Sequence, residues 1–401
     1  MAGIAALAFG YVLSQFYRSF MAVLTPVLTG ELGMTKVELS AASGAWFIAF
    51  ALMQFAVGVS LDRFGPRRTA SILLAVGGGA GAFLFSIATA PWMVIAAMAL
   101  IGIGCSPVLM GAIFIFARSY SPARLAVLAS WTIAFGTAGN VIGAAPLANA
   151  AEAFGWRPVM VALGLLTVLT ALAIHALVRD PAEPEGMAQG ASGFAGYGEL
   201  FRLKTLWPIM PLTALNYAPA TGIRGLWSGP YLADVYGADS LVIGQVTMFM
   251  ALAMIAGAFL YGPLDTVFKT RKWVAVGGNS LSLLVLLYLA LNPMPGLTEI
   301  TILFVIIGLC GGSYGLLMAH ARAFVPTHLT GRGVTLMNFF SIGGVGVMQF
   351  ATGGVVTASA VPDDPAAAYT ALFAFYVLML GLALLVYLFA RDAKPHAPEL
   401  V

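Results

Sequence analysis

Two arginines lie inside long apolar runs, where charge is rare. Arg18 falls in the middle of one run, within Phe9-Gly-Tyr11-Val-Leu-Ser-Gln15-Phe-Tyr-Arg18-Ser-Phe20, and Arg224 falls in another. Tyr11, Gln15, Arg18 and Thr25 share a helical face at i, i+4, i+7 and i+14, and Thr213, Tyr217, Thr221, Arg224 and Ser228 make a matching polar stripe. A charge at such depth marks a functional site by default; the plainer alternative is a side chain snorkelling to the surface or bonding backbone carbonyls. Arg18 is about 14 residues from the inner end of its run, roughly 20 Å at 1.5 Å per residue, beyond the reach of its side chain. Arg224 is nearer the outer face, where snorkelling is easier. Guanidinium offers a planar fork that bonds carboxylate or phosphate oxygens in pairs. Tyr11, Gln15, Tyr217 and Asn338 can add neutral hydrogen bonds, so the expected ligand is a small anion.

Nothing acidic balances these cations from within a run. All sixteen Asp and Glu residues fall in loops, a linker, the tail or run ends. Serine–histidine–carboxylate catalysis therefore has no buried acid to orient its base, and no enzyme is expected. His175 and His320 sit near run ends and read as packing residues. Cys105 and Cys310 are too far apart in sequence to suggest a metal motif, and no cofactor or metal is expected.

The elements that must hold the arginines follow from composition. Sixty per cent of the 401 residues are hydrophobic and 9% are charged, whereas an ordinary soluble domain carries about 25% charge. Runs of about 20 apolar residues read as membrane-spanning helices rather than the shorter alternating strands of a barrel. Spans are expected near 4–29, 39–61, 69–89, 92–117, 125–149 and 156–178, then 205–232, 241–263, 273–291, 298–321, 333–357 and 368–390. A linker at 179–204, with a short surface helix near 199–203, separates an N-terminal bundle (1–178) from a C-terminal bundle (205–391) and a tail (392–401). In this arrangement fifteen of the nineteen Lys and Arg residues share one side of the membrane, which the positive-inside rule makes cytoplasmic. The net charge of +3 is thus a topology signal and not a nucleic-acid footprint. No cleavable signal pattern is expected, because the first run continues past signal-peptide length.

The two bundles repeat one another. Leu28-Thr-Gly-Glu-Leu-Gly33 pairs with Leu232-Ala-Asp-Val-Tyr-Gly237 at an offset of 204, and Arg118 with Pro122 pairs with Arg322 with Pro326 at the same offset. The first bundle also carries a charged turn between two apolar runs: Gly58-Val-Ser-Leu-Asp62-Arg63-Phe-Gly65-Pro-Arg67-Arg68. A worn copy, Leu264-Asp265-Thr-Val-Phe-Lys269-Thr-Arg271-Lys272, follows in the second. Glycines at Gly77–Gly81, Gly139/Gly143 and Gly308/Gly312 have the spacing that lets membrane helices approach closely.

The charged turn resembles the loop between helices two and three of the major facilitator superfamily. The resemblance implies an all-α membrane protein of twelve transmembrane helices in two pseudo-symmetric halves of six, with a substrate site between the halves near the midplane. It also implies gating by Gly58, Asp62, Arg63, Gly65, Arg67, Arg68, Arg118 and Asp265, with Asp62 latching onto Arg118 and the start of the eleventh helix. The run Gly136-Thr-Ala-Gly139-Asn-Val-Ile-Gly143-Ala-Ala-Pro146 resembles that superfamily's antiporter motif but lacks its Gly-Pro pair. One arginine on each of helices one and seven is similar to the organophosphate–phosphate exchangers, although Arg224 falls about one turn later than in that branch. The nitrate carriers, which also clamp an anion with paired arginines, are matched less fully.

The expected function is secondary transport of a small organic anion, a carboxylate or phosphate ester, by a functional monomer in the inner cell membrane with both termini cytoplasmic. A proton-driven drug or siderophore exporter would call for an embedded acid, which the spans do not supply. A non-transporting helper with the same fold would be expected to lose the charged loop or gain a domain, and neither is seen.

Overall fold

The computed structural model describes residues 2–181, 195–326 and 329–394. Most of the linker (182–194) and the end of the tail (395–401) lie outside the described residues. Among the described residues the chain is helical almost throughout, and its one β pairing is an isolated bridge between Val361 and Asp364.

The helices in chain order are α1 (Ala2–Tyr17), α2 (Met21–Leu32), α3 (Lys36–Leu73), α4 (Ala80–Ser86), α5 (Pro91–Ser119), α6 (Pro122–Gly136), α7 (Ala138–Ile142), α8 (Ala145–Phe154) and α9 (Trp156–Leu177). Then come α10 (Ala195–Arg202), α11 (Met210–Leu215), α12 (Ala218–Gly222), α13 (Ser228–Tyr236), α14 (Ser240–Phe268), α15 (Arg271–Leu291), α16 (Leu297–Gly311), α17 (Tyr314–Arg322), α18 (Thr330–Ala358) and α19 (Ala367–Tyr387). The surface helix expected in the linker is α10.

Among the described residues eight helical stretches are long and apolar enough to cross a membrane, or nine if the pair Val127–Ile142 and Ala145–Phe154, bent by 43°, is one span. Local chemistry explains how these differ from the spans read in the sequence. The second and third spans run as one helical stretch, Lys36–Ser86, divided at Gly65, whose φ of 75° and ψ of 164° are not helical. A capping box starts this stretch: the Glu38 N–H donates to Thr35 Oγ1 at 3.3 Å, and the Thr35 N–H donates to Glu38 Oε2 at 2.9 Å. The first, fifth and seventh spans are broken helices. Proline explains part of this: Pro146 opens α8, and Pro219 opens α12. At the first span's break the Ser19 hydroxyl donates to the Gln15 and Phe16 carbonyls, each at 3.2 Å, beside the interrupted ladder.

The chain divides into two compact units. One comprises Met1–Gly186 with Gly225–Met248, and the other comprises Met187–Arg224 with Phe249–Val401. The stretch 225–248, which sequence position assigns to the second bundle, packs in the first unit for three reasons. Gly229 lies against the Ala22 carbonyl and Thr25, so closely that a methyl group there would collide with both. Lys36 Nζ pairs with Asp234 Oδ2 at 2.5 Å, and Gly244 meets Ala145 and Ala148. The glycine runs singled out by spacing all sit at helix crossings: Gly77 against Gly104, Gly139 against Val12 and Phe16, Gly308 against Met250 and Gly312 against Gly257.

Candidate functional site

In the first unit, Arg18 occupies the break between α1 and α2 and is buried to 9% exposure. Its guanidinium carbon lies 5.1 Å from the centre of the Trp46 ring and 5.4 Å from that of Phe50. These rings stack on each other at 5.0 Å, because positions 46 and 50 are one turn apart on α3. Among the described residues no carboxylate pairs with Arg18, and its Nε has no hydrogen-bond partner. Cation–π attraction offsets part of the desolvation cost. One turn before Arg18 in the chain, the Gln15 Nε2 donates to the Tyr11 hydroxyl at 2.5 Å. Tyr11 and Gln15 thus meet across one turn of α1, whereas Arg18 lies just past the end of that helix. Thr25, placed on the same face by spacing, lies beyond the break and donates to the Ala22 carbonyl at 2.7 Å.

Sequence reasoning missed four residues of this neighbourhood. Trp46, Phe50 and Gln54 form an i, i+4, i+8 stripe on α3, and Asn140 lies on α7 beside the seam where Gly139 touches Val12 and Phe16. The stripe spacing was visible, but a run of aromatic and amide residues inside an apolar span reads as ordinary packing.

In the second unit, Arg224 sits in a π-helical turn, Ile223–Trp227, and is buried to 1% exposure. Single π turns inside helices recur at functional sites. The Tyr217 ring lies 5.3 Å from that of Tyr314, and the Tyr314 hydroxyl donates to Asn338 Oδ1 at 2.7 Å. Tyr314, which sequence reading overlooked, thus joins the two predicted residues Tyr217 and Asn338. Beside Tyr217, the Asn216 Nδ2 donates to Asn279 Oδ1 at 2.9 Å and to Ser313 Oγ at 2.6 Å. Arg18 belongs to the first unit and Arg224 to the second.

The charged loop of the first unit is only partly latched. Arg118 Nη2 reaches Asp62 Oδ1 at 3.4 Å, with the Asp62 side chain 71% exposed, and the Arg118 guanidinium caps the Phe114 ring at 4.0 Å. Arg63 lies over Phe64 at 5.3 Å, and the Arg68 carbonyl accepts from the Ser71 hydroxyl at 3.3 Å. Gly58 faces open space, so no close contact demands a glycine there. Gly65 differs: its positive φ suits glycine, and a methyl group there would strike the Asp180 carboxylate. That carboxylate, unforeseen from sequence, accepts the Arg67 N–H at 2.8 Å where the helix resumes, while Arg67 Nε donates to the His175 carbonyl at 2.5 Å.

The second unit repeats the device. Asp265 takes the Arg271 Nε at 3.1 Å, a partner within its own loop. Asp392 accepts the Thr270 hydroxyl at 2.6 Å and the Lys272 N–H at 3.0 Å, and Lys272 Nζ donates to the Leu388 carbonyl at 2.7 Å. Partial burial pushes the Asp392 carboxyl upward, but the bonds from Thr270 and Lys272 more than offset this and hold it below the usual carboxylate range. At the opposite end of the first unit, Glu31 is lowered by the Trp156 indole N–H at 3.0 Å and by Arg157 at 2.7 Å. Among the described residues no group of three His, Cys, Asp or Glu side chains could hold a metal ion.

The family model described as Major Facilitator Superfamily matches residues 7–223 and again 209–400. A probable L-galactonate transporter of Escherichia coli is 25% identical over 302 residues, 68% of this chain and 61% of the relative. The chain thus spans about three fifths of that relative's length. The sialic acid transporter NanX of Escherichia coli is 25% identical over 353 residues, 86% of this chain and 84% of the relative. Among solved structures, a bacterial homologue of the human lysosomal transporter Spinster, inward-facing and unoccupied, superposes with a TM-score of 0.73 over 97% of this chain and 96% of that one, at 18% identity.

Proposed function

This chain belongs to the Major Facilitator Superfamily, and from that premise we propose that it is a secondary transporter, not an enzyme, for a small organic anion. The anion is a carboxylate or phosphate ester bound by Arg18 and Arg224, with Tyr11, Gln15, Tyr217 and Asn338 orienting it. The observation that carries this reading is Arg18: a buried side chain at a helix break, walled by two aromatic rings and paired with no carboxylate among the described residues. An uncompensated buried charge is strongly unfavourable, and an anionic ligand relieves that cost. The burial of Arg224 in an irregular turn supports an equivalent role. Galactonate and sialic acid, in the relatives' names, are both carboxylates, which supports the same class.

With no embedded acid to balance the arginines, the empty carrier reorients more slowly than the loaded one. Exchange is then favoured over uniport, and anion–cation symport is the variant if a proton or Na⁺ travels alongside. The charged loops gate the cytoplasmic side, with both termini and the linker 179–204 on that side, in a monomer in the inner cell membrane. The test is anion binding and liposome counterflow for wild type, Arg18→Lys and Arg224→Lys. Loss of affinity in the variants supports the reading. Unchanged affinity in both, or preference for a neutral or cationic solute, defeats it.

A further inference from the structure

Around Arg18 the first unit holds an unusual concentration of polar atoms that are enclosed and unbonded. Gln15 Oε1, Arg18 Nε, Trp46 Nε1, Gln54 Oε1 and Asn140 Oδ1 are all buried without a hydrogen-bond partner among the described residues. Elsewhere in the unit, Thr132, Thr167, Thr170 and Ser86 satisfy themselves by donating to carbonyls of their own helices at 2.7 to 2.8 Å. Apart from Ser228 Oγ, the unbonded atoms of this unit therefore fall on α1 and the break after it, on α3 and on α7. Gln54 stands out. Its Nε2 makes a long 3.4 Å bond to the Ser106 carbonyl, which holds the amide one turn beyond Phe50 while Oε1 stays unused.

We propose that the transported anion is hydroxylated along its carbon chain, and that Gln54, with Gln15 and Asn140, reads those hydroxyls. This inference rests on the arginine reading above and narrows it.

The chemistry of the unbonded set selects the group. Amide oxygens accept, whereas the Arg18 and Trp46 N–H groups donate. An amide side chain can also turn over, exchanging acceptor for donor. A hydroxyl group donates and accepts, so it satisfies either state of each amide. An ammonium group serves the acceptors alone and would bring a second cation towards Arg18 with no acid to balance it. An alkyl chain leaves every one of these atoms unbonded, and a site built to bond a hydroxyl rejects the analogue that lacks it. The stacked Trp46 and Phe50 rings supply an apolar wall for the carbon skeleton beside the anionic group.

The experiment uses the full-length protein in detergent, measuring affinity by calorimetry for acids matched with and without hydroxyls: gluconate with hexanoate, glycerate with propionate, and glycerol 3-phosphate with propyl phosphate. Sorbitol serves as the neutral polyol. We expect the hydroxylated member of at least one pair to bind up to about tenfold more tightly than its partner, since one lost hydrogen bond is worth up to about tenfold. Gln54→Leu should shrink that ratio towards one, chiefly by weakening the hydroxylated acid. Gln54→Met, closer in shape, guards against a packing artefact, and both variants are checked for wild-type melting temperature. Equal responses to both members of every pair, including no response to any, overturn the inference, as does a ratio that survives both variants. In that event a retained sensitivity to Arg18→Lys leaves the arginine reading standing. Sorbitol binding as tightly as gluconate overturns both.

Discussion

Arg18 should trade stability for binding, and the two effects can be separated by one pair of substitutions. Arg18 is 9% exposed, pairs with no carboxylate among the described residues, and its guanidinium lies over two rings at 5.1 and 5.4 Å. An uncompensated buried charge costs several kcal/mol, of which the two cation–π contacts return about 1–2 kcal/mol. Arg18→Met keeps length and apolar contact while removing the charge, and should stabilise the empty protein by about 1–3 kcal/mol, a rise of a few degrees in melting temperature. The same change should abolish anion binding. Arg18→Lys keeps the charge but loses the fork, and should weaken binding by about 1.5–3 kcal/mol, or about 10- to 150-fold in Kd. Its empty-state melting temperature should stay near wild type. Differential scanning fluorimetry of purified protein, with and without an acid that binds wild type, reads both quantities. Arg18→Met melting below wild type while keeping its response to the acid would refute the reasoning, because Arg18 would then be a structural residue.

Four further outcomes follow. Asp62→Asn should change equilibrium binding by less than about 1 kcal/mol, since its pairing with Arg118 is long and 71% exposed on the Asp62 side, yet should slow liposome transport; wild-type flux would reduce the loop to a topology anchor. The Asp392 carboxyl is held below its usual range, so its stabilising contribution is complete above the ordinary carboxylate pKa of about 3.9 and is lost as pH falls through the lower folded value. The melting-temperature gap between wild type and Asp392→Asn should accordingly narrow on acidification, and a constant gap would count against the capping role. Gly229→Val should wedge α13 from α2 at Ala22 and Thr25 and raise the reaction of a cysteine placed at Ser228 with a membrane-impermeant maleimide, in a background where the buried Cys105 and Cys310 are replaced by serine. A reporter fused after Val401 should be active on the cytoplasmic side, and a periplasmic signal would reverse the assignment of sides.

The sequence was most informative where charge stands against an apolar background. Arg18, Arg224 and the Asp62 loop needed no structure to be noticed, because each breaks a long run in which charge is expensive. Of the four residues whose spacing put them on one helical face, Tyr11 and Gln15 share a hydrogen bond within α1, while Arg18 and Thr25 lie past its end. What escaped notice has a common cause. Trp46, Phe50, Gln54 and Asn140 differ little from other residues of their spans, and only the packing of α3 and α7 around the first helix reveals their neighbourhood. The break at Arg18 was also hidden, since neither proline nor glycine stands at 18–20; there a serine bonds its own preceding turn. Gly58 shows the opposite failure: a motif position that matches by type faces open space here.

The two aspartates that close the loops show how far duplication can be followed beyond the matched motif. Arg179-Asp180 follows the sixth span and Arg391-Asp392 follows the twelfth, an offset of 212. Sequence reading leaves both in a linker and a tail, where acidic residues are unremarkable. In the structure each carboxylate accepts a backbone N–H at the start of the following loop's helix, from Arg67 and from Lys272. Each of these basic side chains in turn donates to a carbonyl near the end of the helix that carries the aspartate, His175 in one unit and Leu388 in the other. A helix N-terminus favours an anion and a C-terminus a cation, each by about 0.3–1 kcal/mol, so both halves of the clasp are favourable in the same geometry. The clasp ties the third helix to the sixth and the ninth to the twelfth without using Asp62 or Asp265. Those two carboxylates are thereby left to Arg118 and Arg271, so the shape of the first loop does not depend on the long, exposed Asp62 contact.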